Sequence, residues 1–224
     1  MTVTPFGGEF ESRIFNEPPP DLSVFPFPVY NITPARNDTE QTMKFNENSA
    51  EIRPLREGEI GRPLFAHFCR RQEVTLCLRK IGGAWRETPA PFIDDWDEND
   101  YKFLIKCLQS TVRTGGVVFG AFLGGELKGF ASVEAMPLGS RGQYRDLTSI
   151  HVSADVRHAG LGGALFARAK AWAKAQGAEK LYISSHSAVE SQAFYAAMGC
   201  TDAREIDEEH ARREPFDRQL ECDV

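Results

Sequence analysis

The segment that most restricts the fold is DLTSIHVSADVRHAGLGGALFARAKAWAKAQG, residues 146–177. Its first third has the β-branched residues of a strand, and its last half has apolar residues at helical spacing before a stop at Gly177. Glycine is less stable than alanine inside a helix by roughly 0.5–1 kcal/mol. The glycines between the two patterns therefore need a packing or a ligand-binding reason, and they are Gly160, Gly162 and Gly163.

The rest of the chain supplies further strands and helices around this unit. A strand near residue 51 and a helical stretch over 60–68 precede a hairpin that turns at Gly82 and Gly83, a helix capped by Asp97, and three consecutive strands. A strand, a helix and a closing strand follow residue 177, and the charged run 202–218 between them is interpreted as a solvated connection. The order predicts an α/β fold (α+β mixed), with a central mixed, mostly antiparallel sheet of six to seven strands and helices on both faces.

Two parts of the chain differ in composition. Residues 1–50 are rich in proline and are interpreted as a flexible or draped extension, with Met43 as an alternative start, whereas residues 51–224 form the predicted domain. A net charge of -6 provides no basic field for nucleic acid. The five cysteines are odd in number and form no C-x-x-C pair, which favours a reduced protein without a metal site. With no apolar run of membrane-spanning length, we expect a cytoplasmic protein that does not enter the membrane.

The glycine turn has the features of an anion site. The first N–H groups of a helix lack partners within it, and the helix dipole adds positive charge there. Glycines let an anion approach these groups, and Arg157 and His158 add side-chain donors. A Walker A loop is excluded because no GK[ST] follows. Close packing of the helix on the sheet remains the alternative reason for the glycines.

Two motifs then resemble one family. VRHAGLGGAL resembles the R/Q-x-x-G-x-G/A signature of the GNAT superfamily of N-acetyltransferases, and LYISSHSAVESQAFYAAMGC is similar to its fifth strand and fourth helix. The resemblance implies acetyl-CoA as co-substrate, without a metal. Ala188 stands where many members have a cofactor-contacting asparagine, so the polar contact is expected to come from Ser187 or Ser191, or to be absent. The implied cofactor-binding residues are Ile150 and Val152 through the main chain, with Arg157, His158, Ala159, Gly160, Leu161, Gly162, Gly163, Ser187 and Ser191.

The resemblance also implies catalytic residues. Tyr195 matches the family's general acid, which protonates the departing thiolate. Asp146 falls where several relatives have a base, and Glu134 on the neighbouring strand competes for that role. Strand alternation predicts that Asp146 shares one face with Thr148, Ile150 and Val152, and that His151 packs on the other face.

These features imply transfer of an acetyl group from acetyl-CoA to a primary amine of a small molecule or peptide, by direct attack in a ternary complex. An acceptor pocket could use Asp94, Asp95, Trp96 and Trp85, although a charged helix start explains the acidic residues more simply. The main alternative is a non-catalytic acyl-CoA-binding sensor or scaffold. Nucleotide hydrolysis is disfavoured because the turn has no lysine. A homodimer is possible.

Overall fold

The structure, a computed structural model, describes residues 50–224. The predicted extension up to residue 49, including Met43, lies outside the described residues. Within them, no helix is both long and apolar enough to span a membrane.

Nine strands and four α-helices follow one another along the described residues. The strands are β1 Glu51–Pro54, β2 Gln72–Ile81, β3 Ala84–Asp94, β4 Val117–Leu123, β5 Glu126–Leu138, β6 Tyr144–Val152, β7 Lys180–Ser185, β8 Thr201–Asp202 and β9 Arg218–Asp223. The helices are α1 Glu98–Arg113, α2 Leu161–Ala175, α3 Val189–Ala197 and α4 Glu208–Arg213.

The strands form two sheets. Seven of them make the central sheet, in the order β1-β4-β5-β6-β7-β9-β8, and β2 pairs with β3 alone. Every pair in the central sheet is antiparallel except β6 with β7, which are joined through α2. The predicted mixed, mostly antiparallel sheet is confirmed, as is the hairpin, whose turn places Gly82 and Gly83 at positive φ.

The central sheet has a hydrophobic core on each face. Neighbouring residues of β4 belong to different cores, since Val117 packs with α2 whereas Val118 packs with α1, as strand alternation requires. The α2 core includes fully buried Leu165. Helices on both faces therefore hold the sheet between two apolar layers.

Helix α1 begins as the sequence predicts. The Asp97 carboxylate accepts hydrogen bonds from the N–H groups of Asn99 at 2.7 Å and Asp100 at 3.0 Å. The Asp100 carboxylate in turn accepts from the Asp97 N–H at 2.8 Å. This reciprocal cap satisfies donors that the helix leaves unpaired.

Two predicted segments differ in the structure. The stretch over 60–68 is not an α-helix but contains the second of two short 3₁₀ turns, Glu57–Glu59 and Arg62–Phe65. Ile60, Phe65 and Phe68 are buried even so, and Pro63 fits the first turn of such an element. The run 202–218 is more than a solvated connection, because it contains α4 and the buried His210.

The hairpin of β2 and β3 packs beside the start of α3. The Leu78 N–H donates to the Ser187 carbonyl at 2.7 Å, and Cys77 forms an isolated bridge with Ala188. This contact places the first residues of β2 and the last of β3 over the central part of the sheet, next to β6.

Candidate functional site

A cleft opens where β6 and β7 part from one another. The two strands pair at three positions only, of which Asp146 with Tyr182 is the last, and the described residues show no further pair between them. From Leu147 to Val152, β6 therefore lines a cleft of about 850 Å³. Helices α2 and α3 and the hairpin provide the remaining walls.

A bulge in β6 changes which residues share a face. Ser149 pairs with Ser132 of β5, but the next residue of β5, Val133, pairs with Leu147, so Thr148 is the extra residue. Leu147 consequently packs in the same core as Ile150 and Val152. The prediction that Asp146 shares their face is wrong, because the bulge interrupts the alternation.

The main chain of β6 presents polar groups to the cleft. The Ser153 N–H donates to the carbonyl of Lys128 in β5 at 2.9 Å. In an antiparallel ladder every second residue bonds to the same neighbour, so His151 and Ser149 also direct their main chain toward β5. The N–H and C=O groups of Ile150 and Val152 therefore point to the open edge, as the predicted main-chain role requires.

The glycine turn forms the start of α2. Gly160 has φ 86°, where a side chain would be strained, and the first bond within the helix runs from the Ala164 N–H to its carbonyl at 3.1 Å. The N–H groups of Leu161, Gly162 and Gly163 accordingly have no partner within the helix. A Cβ on Gly162 would lie 3.2 Å from the Phe194 ring of α3, so close packing is also part of the reason for the glycine.

The cleft brings together most of the residues predicted for the site. Those that line it are Ile150, Val152, Arg157, His158, Gly160, Leu161, Gly162, Gly163, Ser191 and Tyr195. Ala159 is not among the lining residues. Nor is Ser187, which is fully buried and whose hydroxyl accepts a hydrogen bond from Arg79 of the hairpin.

Tyr195 lies in the wall formed by α3. It is buried, and its ring packs against Phe194 with ring centroids 5.1 Å apart. Burial raises the pKa of the Tyr195 phenol, and the neighbouring Cys200 and Asp217 raise it further. The phenol is thus protonated at neutral pH and able to donate a proton.

The two carboxylates predicted as alternative bases have other partners. Neither is among the residues that line the cleft. Glu134 accepts a hydrogen bond from the Thr111 hydroxyl of α1 at 2.6 Å, and burial raises the pKa of its carboxyl. Asp146, the last residue of β6 paired with β7, lies 2.9 Å from Nε2 of His210.

His210 joins two carboxylates. Its Nδ1 lies 2.9 Å from Oδ1 of Asp207, opposite the contact with Asp146. Burial by itself would lower the pKa of His210, but the hydrogen bonds and charges of Asp146 and Asp207 raise it to about 9. The buried His210 and Asp146 and the half-buried Asp207 form a cluster at the point where β6 and β7 part.

The cleft includes a recess in which Asp94 and Trp96, both considered for an acceptor pocket, meet Arg70, a residue with no predicted role. Arg70 forms a buried ion pair with Asp94, and its guanidinium lies 4.9 Å from the centre of the Trp96 ring. Arg157 also reaches this recess and donates to the Arg70 carbonyl at 3.5 Å. Of the four residues considered for an acceptor pocket, Asp94 and Trp96 line the cleft, whereas Asp95 and Trp85 do not.

Two histidines face the same recess. His151 packs between Trp96 and Phe130, with ring centroids 4.9 and 5.2 Å away, so the predicted packed histidine also lines the cleft. His186 accepts a hydrogen bond from the Ala188 N–H through Nδ1 at 3.1 Å. Burial and then the charge of Arg70 lower the pKa of both, to about 4 for His186, so both are neutral at pH 7.

The chain belongs to the acetyltransferase (GNAT) family, because the profile of that family matches residues 82–200, more than half of the sequence. The family match supports acetyl transfer as the general chemistry of the chain. No curated protein matches the chain.

Solved structures share the fold. Nourseothricin acetyltransferase is 18% identical with a TM-score of 0.56, and a putative streptothricin acetyltransferase from Bacillus anthracis, in complex with acetyl coenzyme A, is 16% identical with a TM-score of 0.57. Both alignments cover 77% of this chain and 96% of the other. The PaiA N-acetyltransferase of Thermoplasma acidophilum, in complex with coenzyme A, is 16% identical with a TM-score of 0.51, covering 79% and 99%. At these identities the likeness concerns the fold.

Proposed function

We propose that this protein transfers an acetyl group from acetyl-CoA to a primary amine of a small molecule or peptide. The observation that supports this most is the convergence of three features on one cleft. These are the open main-chain edge at Ile150 and Val152, the unpaired N–H groups at the start of α2, and the phenol of Tyr195.

The cleft fits acetyl-CoA by the chemistry of its donors. The N–H groups of Leu161, Gly162 and Gly163, together with Arg157, suit the diphosphate. The edge of β6 offers both donors and acceptors to the amide groups of the pantetheine arm, in the manner of an added strand. Ser191 on α3 lines the same side and offers a hydroxyl.

Tyr195 supplies the proton in this proposal. When the amine nitrogen bonds to the acetyl carbon and the carbon–sulfur bond breaks, the sulfur leaves as a thiolate. The protonated phenol of Tyr195 donates to it, and the proton lost by the amine passes to solvent. None of the five cysteines lines the cleft, which supports direct attack in a ternary complex over a cysteine-bound acetyl intermediate.

Asp146 and Glu134, the two residues proposed as base, differ in their position and in their partners. Asp146 lies one residue before the lining part of β6, and its carboxylate is held by His210. Glu134 is held against α1 by Thr111. Neither carboxylate lines the cleft, which is why the step above passes the proton of the amine to solvent.

The experiment is a thiol-release assay with acetyl-CoA and a panel of polyamines, aminoglycosides, amino acids and peptides. Tyr195→Phe should lower kcat by about 100-fold and leave the affinity for CoA within twofold. Tyr144→Phe is the matched control, since its hydroxyl bonds to Glu221 at 2.6 Å and lies outside the cleft. Its kcat should stay near that of the unmodified protein.

The result also separates the enzyme from a sensor or scaffold. CoA binding without thiol release for any amine would support the non-catalytic alternative. Equal loss of kcat in the Tyr195 and Tyr144 variants would remove Tyr195 from the proton-donating role.

A further inference from the structure

The recess beside β6 contains polar atoms without partners. In the described residues, five buried side-chain nitrogen or oxygen atoms lack a hydrogen bond, and three belong to residues of the recess. These three are Nε of Arg70, Oδ1 of Asp94 and Oγ of Ser149. Folded proteins pair the great majority of such atoms, so a concentration of unpaired ones in a cleft indicates that a ligand pairs them.

The recess atoms define the chemistry of that ligand. Arg70 and Asp94 are bonded to each other through one atom each, so the unused donor Nε and the unused acceptor Oδ1 belong to adjacent groups of one wall. The complementary ligand offers an acceptor and a donor on two neighbouring groups. Ser149, 4% exposed, adds a hydroxyl that can donate or accept.

The charges of the recess restrict the chemical class of the ligand further. Arg70 and Asp94 cancel, His151 and His186 are neutral, and the proposed function assigns Arg157 to the diphosphate. A singly charged amine would add an unbalanced positive charge beside the Arg70 guanidinium, which is costly in a buried place. The carboxylates of Glu73 and Glu190 line the exposed mouth, where water screens them, and Asp217 lies near Tyr195.

We propose that the recess binds the acceptor as a zwitterionic α-amino acid, with its ammonium group at Asp94 and its carboxylate at Arg70. Both charges of the ligand then meet an opposite charge, and the recess remains neutral overall. This inference rests on the proposed function and names its substrate class. Before the attack the ammonium gives one proton to the Asp94 carboxylate, whose pKa burial raises, and the neutral α-amine then receives the acetyl.

The test compares amines that differ only in the carboxylate. Each of the twenty common amino acids is assayed for thiol release, and L-phenylalanine and L-leucine are paired with phenethylamine and 3-methylbutylamine. We expect kcat/KM for the best amino acid to exceed that for its decarboxylated or amidated form by at least about tenfold. Equal or better use of the decarboxylated amines would overturn the proposal.

Substitutions in the recess then test whether the amino acid binds there. The double variant Arg70→Gln/Asp94→Asn keeps the recess neutral, and it should raise KM for the amino acid at least about tenfold while KM for acetyl-CoA changes less than twofold. Ser149→Ala provides a smaller change that leaves the ion pair in place and should raise the same KM. Arg71→Gln is the matched control, because Arg71 is exposed and pairs with Glu73 at the surface. A KM for the amino acid that is the same in all variants would contradict the assignment.

The two proposals can fail separately. If CoA does not bind, the proposed function itself is wrong. If CoA binds and other amines are acetylated, but no amino acid is used or binds to the CoA-saturated protein in calorimetry, only the zwitterionic acceptor is wrong.

Discussion

The buried imidazolium of His210 leads to a prediction about stability that involves no substrate. In the folded protein Asp146 and Asp207 raise the pKa of His210 from its ordinary 6.5 to about 9, against the effect of burial. In the unfolded chain Asp146 is distant and Asp207, three residues away, is no longer held in contact, so the pKa returns toward its ordinary value. Because the folded-state pKa is the higher one, the contribution to stability is fully present below about pH 6.5 and is lost as the pH rises through about 9.

The size of the effect follows from the two pKa values. A difference between 6.5 and about 9 corresponds to about 3 kcal/mol of unfolding free energy. We expect His210→Gln to lose that contribution at pH 6 and to differ much less from the unmodified protein at pH 10. Other groups titrate over this range in both proteins, so the difference between the two isolates His210.

The assay is urea unfolding followed by circular dichroism at each pH unit from 6 to 10. His67→Gln is the control, because His67 is exposed on the surface beside Glu126 and should leave the pH profile unchanged. A difference between the unmodified protein and His210→Gln that stays constant with pH would show that His210 is not held as an imidazolium.

Three further outcomes follow from packing and burial. Gly162→Val should weaken CoA binding at least about tenfold in calorimetry, because even its Cβ would lie 3.2 Å from Phe194, and unchanged affinity would separate this glycine from the site. Leu165→Ala, at a fully buried position, should lower the free energy of unfolding by about 2–5 kcal/mol in urea titrations; a loss below 1 kcal/mol would contradict the packing. Iodoacetamide at pH 8 should label exposed Cys69 before buried Cys107, whose pKa burial raises to about 12, and the reverse order would disprove this environment.

The fold could be predicted from the sequence because the patterns that indicate its elements are local. The cap at Asp97, the glycine pair at the hairpin turn and the helical spacing after Gly160 each fix one element within a few residues. The position of the cleft could be predicted from the glycine turn, because the strand, the turn and the helix are consecutive and their junction has little conformational freedom.

What the sequence did not predict depends on distant contacts. The extra residue Thr148 in β6 arises from pairing with β5, and no local pattern marks it, so the face of Asp146 was predicted wrongly. His210 stands in a polar run, and its partners in the fold include Asp146, 64 positions earlier, and the ring of Tyr182. The sequence pattern that could have indicated this cluster is a single histidine among acidic residues, three residues after Asp207, which caps the helix.

The recess shows the same limit. Arg70 and Asp94 are 24 residues apart and meet because the hairpin brings the start of β2 beside the end of β3. The sequence indicated the hairpin and noted Asp94, but an acidic residue before a helix is explained equally well by the helix dipole. Only the pairing of the two strands distinguishes these interpretations.

Amide hydrogen exchange with and without CoA would test the site itself most directly. The proposed binding predicts slower exchange for the backbone N–H groups of Ile150 and Val152 on β6 and of Leu161, Gly162 and Gly163 at the start of α2. Saturable protection of these two segments is the expected result. Unchanged exchange there at millimolar CoA, or protection confined to other segments, would contradict the site described here.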